Sequence, residues 1–359
     1  MTDHARGAKA QSKSSYKSVM GRALKKTGRS AAGFLLAALL TLTPFESAES
    51  AVPKNRHKAT HSVKPIQVQP RIDIPIGAKT TLAEFDTAPF PYEGLHARFW
   101  NVSSGKRKGH RSSYGRVYWQ DETYRERRVL LHIPNGFDVS RPGVIIVFFH
   151  GHSAKLRRDV LDRQRVPAQI SASGINAVLV APQFAVDAQD SSAGKFWEPG
   201  AFDRFIQEAV GKLADLYGDP RAAQSFAKMP VVIVAYSGGY LAAASCLKVG
   251  GVQDRVRGVV LLDALYGEVD SFAAWIEKNK STFFVSAYTD STQRRNAALK
   301  TILARQKIAY GTDLKQQKWR HGVTFLSTNS KVGHWNFVTH AWADYPIKDL
   351  LSRLDEYRR

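Results

Sequence analysis

The segment Val231-Val-Ile-Val-Ala-Tyr-Ser-Gly-Gly-Tyr-Leu-Ala-Ala-Ala constrains this chain more than any other. Its first part is an unbroken apolar run, the pattern of a strand covered on both faces, and such strands belong to parallel sheets packed between helices. A helical pattern of small residues begins directly after Gly239, so the chain must turn sharply at Ser237. A turn of that kind has no space for bulky neighbours, and Ala235 and Gly239 place small residues two before and two after the serine. The helix start would also aim free N–H groups and a partial positive charge at any anion forming there. A serine in this position can also be a plain helix cap, so the rest of the chain has to decide.

Apolar runs of the same kind recur at Val144–Phe149, Ala177–Ala181, Gly258–Leu262, Thr282–Ala287 and Val323–Ser327, preceded by Arg116–Trp119 and Arg128–Ile133. Between them lie helical patterns at Ala201–Tyr217, Tyr240–Lys248, Ser271–Asn279, Ser291–Gln306 and Phe337–Tyr357. Strands alternating with helices require crossover connections. The expected fold is therefore α/β, a mostly parallel central sheet flanked by helices on both faces, with ligands at the carboxyl ends of the strands.

In these residues the chain resembles the α/β-hydrolase family, the serine esterases and lipases, over roughly residues 95–357. The family's nucleophile turn is Gly-x-Ser-x-Gly. Here it reads Ala235-Tyr236-Ser237-Gly238-Gly239, with Ala in place of the first Gly. About 90 residues upstream, Val144-Ile-Ile-Val-Phe-Phe-His-Gly-His-Ser is similar to the family's third strand and its His-Gly oxyanion loop. The resemblance implies oxyanion donors on the backbones of Gly151 or His152 and of Gly238. His150 and His152 could instead hold a metal, but Lys155, Arg157 and Arg158 are a poor setting for a cation, and neither metal nor cofactor is expected.

The base should follow the last strand, where His334 sits, while His340 falls in the expected terminal helix and His321 precedes the strand. A neutral imidazole can take the serine proton and return it to the leaving group. Two carboxylates compete to orient it. Asp290 closes the strand Thr282–Ala287, where the family most often keeps its acid, and Asp263 closes Gly258–Leu262, a position the family also uses.

The amino terminus reads differently. Arg22, Lys25, Lys26 and Arg29 precede an apolar run, Ala31–Leu42, followed by Pro44 and by small residues at Ala48, Ser50 and Ala51. This is the layout of a signal peptide over residues 1–50, with Met20 an alternative start, and the run is too short for a membrane span of ~20 residues. Periplasmic or secreted location is the expectation. Residues 51–94, rich in Pro, Lys, Arg and His at their start, read as a basic linker ahead of a catalytic domain over 95–359.

Net charge is +21, of which eight basic and three acidic residues in 1–50 leave +16 on the remainder. That charge favours anionic partners. Nucleic acid is not expected, since no helix-turn-helix, zinc-finger or RNP-like pattern is present. The single cysteine, Cys246, excludes an internal disulfide.

Fewer than 20 residues separate Leu262 from Thr282, which leaves no space for a large lid, and residues 184–200 with Trp197 are expected to form a wall of the site. Basic residues Lys155, Arg157, Arg158, Arg163 and Arg165, with 106–111, are expected near its mouth. Cleavage of a small-molecule or polymeric ester is the leading expectation. An envelope-directed peptidase or amidase, and a catalytically silent binding protein of the same fold, are the alternatives.

Overall fold

The strands are β1 (Lys79–Glu84), β2 (Val102–Ser104), β3 (Arg107–Arg111), β4 (Val117–Trp119), β5 (Arg128–Ile133), β6 (Val144–Phe149), β7 (Ala177–Pro182), β8 (Val231–Tyr236), β9 (Val256–Leu262), β10 (Phe283–Tyr288) and β11 (Gly322–Ser327). The computed structural model describes residues 71–93, 99–315, 321–328 and 332–359, all within the unit Ile66–Arg359. The region read as a signal peptide, and residues 51–70 and 94 of the region read as a linker, lie outside the described residues. Among the described residues no helix is long and apolar enough to cross a membrane.

Eight strands form one sheet in the order β1-β5-β7-β6-β8-β9-β10-β11. The first two pairings, β1 with β5 and β5 with β7, are antiparallel. Every later pairing is parallel. This is the mostly parallel sheet that the apolar runs implied, and it fits the α/β-hydrolase fold that the resemblance implied.

Alternate residues of each buried strand feed opposite layers, as the two-residue period of a strand requires. Ile145, Val147 and Phe149 pack with Phe202, Phe205 and Ala243 on one face. Val144, Ile146 and Phe148 pack with Val166, Ile170, Leu350 and Leu351 on the other. Crossover helices Ala201–Tyr217, Tyr240–Val249, Val269–Lys278 and Asp290–Arg305 cover the first face, and Val166–Ala172 and Pro346–Leu351 cover the second.

β6 has β7 on one side and β8 on the other, so the strand order reverses there. The loops leaving the carboxyl ends of β6 and β8 diverge to opposite faces and open a crevice between them. Those loops carry His150–Ser153 and Ser237.

Two sequence expectations need correction. The linker assigned to 51–94 ends earlier, because Lys79–Glu84 is a strand of the sheet and Phe85, Ala88, Phe90 and Tyr92 are buried. Glu208 holds this segment by accepting from the backbone N–H groups of Asp86 and Thr87 at 2.9 and 2.8 Å. β1 is a half-buried edge with only Leu82 as a large apolar residue, so it gave little periodic pattern.

The terminal helix expected over Phe337–Tyr357 is instead a short helix, Pro346–Leu351, between the turns His334–Asn336 and Asp355–Tyr357. Pro346 has no N–H to continue a helix and starts one instead, and Tyr345 before it sits at φ 57°. His340 accordingly lies in an isolated bridge with Asp344.

His132 of β5 ties the edge together, with Nδ1 2.7 Å from Thr80 Oγ1 of β1 and Nε2 2.8 Å from Ser171 Oγ. Burial lowers its pKa to about 4. An unfolded histidine takes up its proton near 6.5 while this one stays neutral to about 4, so protonation favours unfolding in between and stability falls as pH drops through that window. Denaturant unfolding across pH 7 to 4 is expected to show His132→Gln losing up to about 3 kcal/mol of that fall.

Candidate active site

Ser237 directly follows β8 at φ 51°, and the turn Ser237–Gly239 that it begins leads into the helix Tyr240–Val249. The neighbouring loop touches it. A Cβ on Gly151 would lie 2.7 Å from Ser237 Cβ, and one on Gly239 would lie 2.5 Å from the Phe149 carbonyl oxygen. Only glycine permits the ends of β6 and β8 to approach so closely.

His334 Nε2 is 2.8 Å from Ser237 Oγ, and His334 Nδ1 is 2.6 Å from Asp263 Oδ2. A carboxylate can only accept, so Nδ1 carries the ring proton and Nε2 is left to accept the hydroxyl proton of Ser237. Asp263 itself is fully buried. Burial alone would raise its pKa, but hydrogen bonds from His334, Thr292 and Thr289 outweigh that and hold the carboxyl well below its ordinary range. The donors are Thr289 N at 3.0 Å, Thr289 Oγ1 at 2.7 Å, Thr292 Oγ1 at 2.7 Å and Ser291 Oγ at 2.8 Å.

Of the two candidate acids, the structure brings Asp263 to His334. Asp290 is exposed in the first turn of the helix Asp290–Arg305, where a negative charge favours the helix end.

The loop after β6 is fastened by His150, whose Nδ1–H donates to Gly151 O at 2.7 Å. Its Nε2 accepts from Phe184 N at 2.9 Å and faces Gln183 Nε2 at 3.0 Å. Neither ring nitrogen is left for a ligand, and burial lowers the pKa to about 4. His152 lies over the start of the helix, so close that a Cβ on Gly238 would come within 2.5 Å of its ring. Its Nε2 is 2.6 Å from Ser191 Oγ. Burial also lowers the His152 pKa, against the attraction of Asp190.

His334 is held from outside by residues that sequence reasoning did not single out for this task. Tyr236 stacks on the His334 ring at 5.2 Å and its hydroxyl donates to His334 O at 2.9 Å. The Arg163 guanidinium lies 3.8 Å from the Trp335 ring centroid, donates to Trp335 O at 3.2 Å, and pairs at 3.0 Å with Asp159, whose side chain is 2% exposed. Tyr236 lay inside the motif already quoted, and the polar run Thr289–Thr292 after β10 was legible as a carboxylate cradle only once Asp263 was known to face it.

A cavity of about 710 Å³ opens on Ser237 and His334. Gln189–Ser192 and Trp197 line it, as expected of 184–200, and so do Arg111, Ser113 and Tyr114. The basic residues divide. Arg163 and Arg111 line this cavity, whereas Lys155, Arg157 and Arg158 line a separate one and Arg165 pairs with Asp73 at 2.8 Å.

The Ser237 hydroxyl, the His334 imidazole and the Asp263 carboxylate thus form one hydrogen-bonded chain at a strand–helix turn of an α/β sheet, a geometry in which an imidazole can accept a hydroxyl proton. No family model matches the chain, and comparison with curated proteins found no match. Solved structures similar to it include a mutant of the feruloyl esterase module from Clostridium thermocellum complexed with sinapinate, 14% identical over 78% of this chain and 97% of that one, with a TM-score of 0.43. A ferulic acid esterase is 11% identical over 77% and 98%, at a TM-score of 0.41. An S-formylglutathione hydrolase from Agrobacterium tumefaciens is 10% identical over 72% and 96%, at a TM-score of 0.38.

The buried Asp263 charge should be felt in stability. Asp263→Asn puts an N–H₂ among donors and is expected to cost about 2–4 kcal/mol in chemical denaturation at pH 7, against about 0.5 kcal/mol or less for Asp290→Asn. Because the folded pKa is depressed, this contribution is present above the unfolded value near 4 and fades as pH falls below it.

Proposed function

We propose that this chain is a serine hydrolase acting on esters, with Ser237 as nucleophile, His334 as general base and acid, and Asp263 as the residue that orients and stabilises the imidazolium. The observation that carries this reading is the pair of contacts made by one imidazole, 2.8 Å to Ser237 Oγ and 2.6 Å to Asp263 Oδ2.

His334 Nε2 takes the Ser237 proton as Oγ attacks the ester carbonyl, and the oxyanion is met by backbone N–H groups at Gly238 and at Gly151 or His152. Collapse expels the alcohol, which receives the proton from His334, and leaves an acyl-serine. Water, deprotonated by the same imidazole, then releases the acid and restores Ser237. Asp263 stays ionised throughout, as its five donors favour.

Labelling with a fluorophosphonate, with the adduct located by mass spectrometry, tests the assignment. The expected result is an adduct on Ser237 that is lost in Ser237→Ala and strongly slowed in His334→Ala. Ester turnover should fall about a thousandfold or more in Asp263→Asn and far less in Asp290→Asn. Well-folded protein that takes no label overturns the reading.

Export to the periplasm or medium is proposed from the amino-terminal sequence alone. Amino-terminal sequencing of protein recovered outside the cytoplasm is expected to begin near residue 51, and full-length protein confined to the cytoplasm would refute it.

A further inference from the structure

Among the described residues, the arginines and carboxylates lining the cavity of about 710 Å³ that opens on Ser237 and His334 are Arg111, Arg163 and Asp190. Arg163 and Asp190 are already engaged. Arg163 is tied to Asp159 at 3.0 Å and to Trp335 O at 3.2 Å. Asp190 accepts from the Tyr124 hydroxyl at 2.6 Å and from Ser192 N and Oγ at 3.1 and 2.8 Å.

Arg111 differs. On the same strand, β3, Arg107 pairs with Asp121 at 2.8 Å and Lys108 with Glu93 at 3.4 Å. Among the described residues no carboxylate pairs with Arg111, which is exposed and donates from Nη1 to Gly115 O at 2.9 Å. A guanidinium presents its N–H groups as a planar fork. With Nη1 turned to its own hairpin, the edge formed by Nε and Nη2 has no partner among the described residues.

The backbone sets where that fork stands. Arg111 N–H donates to Asn101 Oδ1 at 2.8 Å, Ser112 N–H to Arg116 O at 2.9 Å and Gly115 N–H to Ser112 O at 2.8 Å. Gly115 sits at φ 83°, so the turn that returns its carbonyl to Arg111 depends on glycine. Tyr114 of this turn meets the His152 ring edge-on at 6.0 Å, and that ring lies against Gly238 beside the nucleophile. A cation held in this way gives up less freedom on binding than an untethered arginine. Tyr114, Tyr266 and Trp335, also exposed in this cavity, offer flat apolar faces to a carbon chain.

We propose that Arg111 is a specificity residue of this site, binding through its Nε–Nη2 edge a carboxylate that the substrate carries away from the scissile ester. Carboxylate-bearing esters are then cleaved in preference to neutral esters of the same shape, because a planar carboxylate matches the fork with two parallel hydrogen bonds. The inference rests on the hydrolase reading above. The carboxylate has two possible sources: the acyl half, as in a monoester of a dicarboxylic acid, and the alcohol half, as in an ester of a hydroxy acid.

Two matched pairs of probes separate these sources: monophenyl adipate against the phenyl ester of adipamic acid, and 4-butyryloxybenzoate against 4-butyryloxybenzamide. For the full chain, kcat/KM is expected to favour the carboxylate of one pair over its amide, and that pair identifies the half carrying the charge. In Arg111→Met the ratio should fall about 10-fold, and Arg111→Lys, which keeps the charge without the fork, should retain part of it. Raising salt from about 0.05 to about 0.5 M should lower the wild-type ratio and leave that of Arg111→Met nearly unchanged. Arg157→Met removes the same charge from the separate cavity and should leave the ratio as in the wild type.

A wild type with no preference for either carboxylate, a preference that survives Arg111→Met, or an equal fall in Arg157→Met overturns the inference. Failure of the wild type to be labelled at Ser237 overturns the hydrolase reading and this inference with it, whereas labelled protein that gives any of those three results overturns the inference alone.

Discussion

The closeness of two chain segments at the carboxyl ends of β6 and β8 governs the rest of the structure. Gly239 packs against the Phe149 carbonyl, Gly151 against Ser237, and Gly238 against the His152 ring, each with less space than a Cβ needs. Two adjacent parallel strands whose connections run to opposite faces create the crevice, and glycines let its walls nearly touch. Ser237 is placed at its floor with a backbone at φ 51°, a conformation that costs a non-glycine residue of order 1–3 kcal/mol and persists because the surrounding contacts over-determine it.

The second constraint is electrostatic. A carboxylate with no exposure to solvent is tolerable only if its lone pairs are met, and Asp263 receives donors from three residues at the β10 exit and one from the final loop. That arrangement links β9, β10 and the segment after β11 through one charge. His334 is therefore positioned by a group that already had to be satisfied for the sheet to close around it, and Tyr236 and the Asp159–Arg163–Trp335 clamp complete its support from the other side.

The high positive charge acts less on the site than its magnitude implies. Arg163 is committed to Asp159, and Lys155 and Arg158 are paired with Asp187 at 3.4 and 3.1 Å away from the cavity lined by Ser237. Much of what was legible in the sequence was periodic: the strands buried on both faces and the four central crossover helices follow from continuous apolar runs and helical spacings. β1, β2 and β3 escaped notice because half-buried edges need little apolar sequence, whereas β4 lay within the run Arg116–Trp119. The apolar spacing after Phe337 looked helical, yet Phe337, Val338, Ile347 and Leu350 reach the same layer through a broken path, since one proline outweighs the pattern.

Sequence alone determined the α/β sheet, the turn at Ser237 and the place of His334 after the last strand, because those depend on local periodicity and on glycine and alanine at fixed offsets. Only the tertiary structure decided between Asp263 and Asp290, which are 27 residues apart and both close a strand. The choice turns on which carboxylate points inward among Thr289, Ser291 and Thr292, and side-chain direction across neighbouring strands is not written in either strand's own sequence.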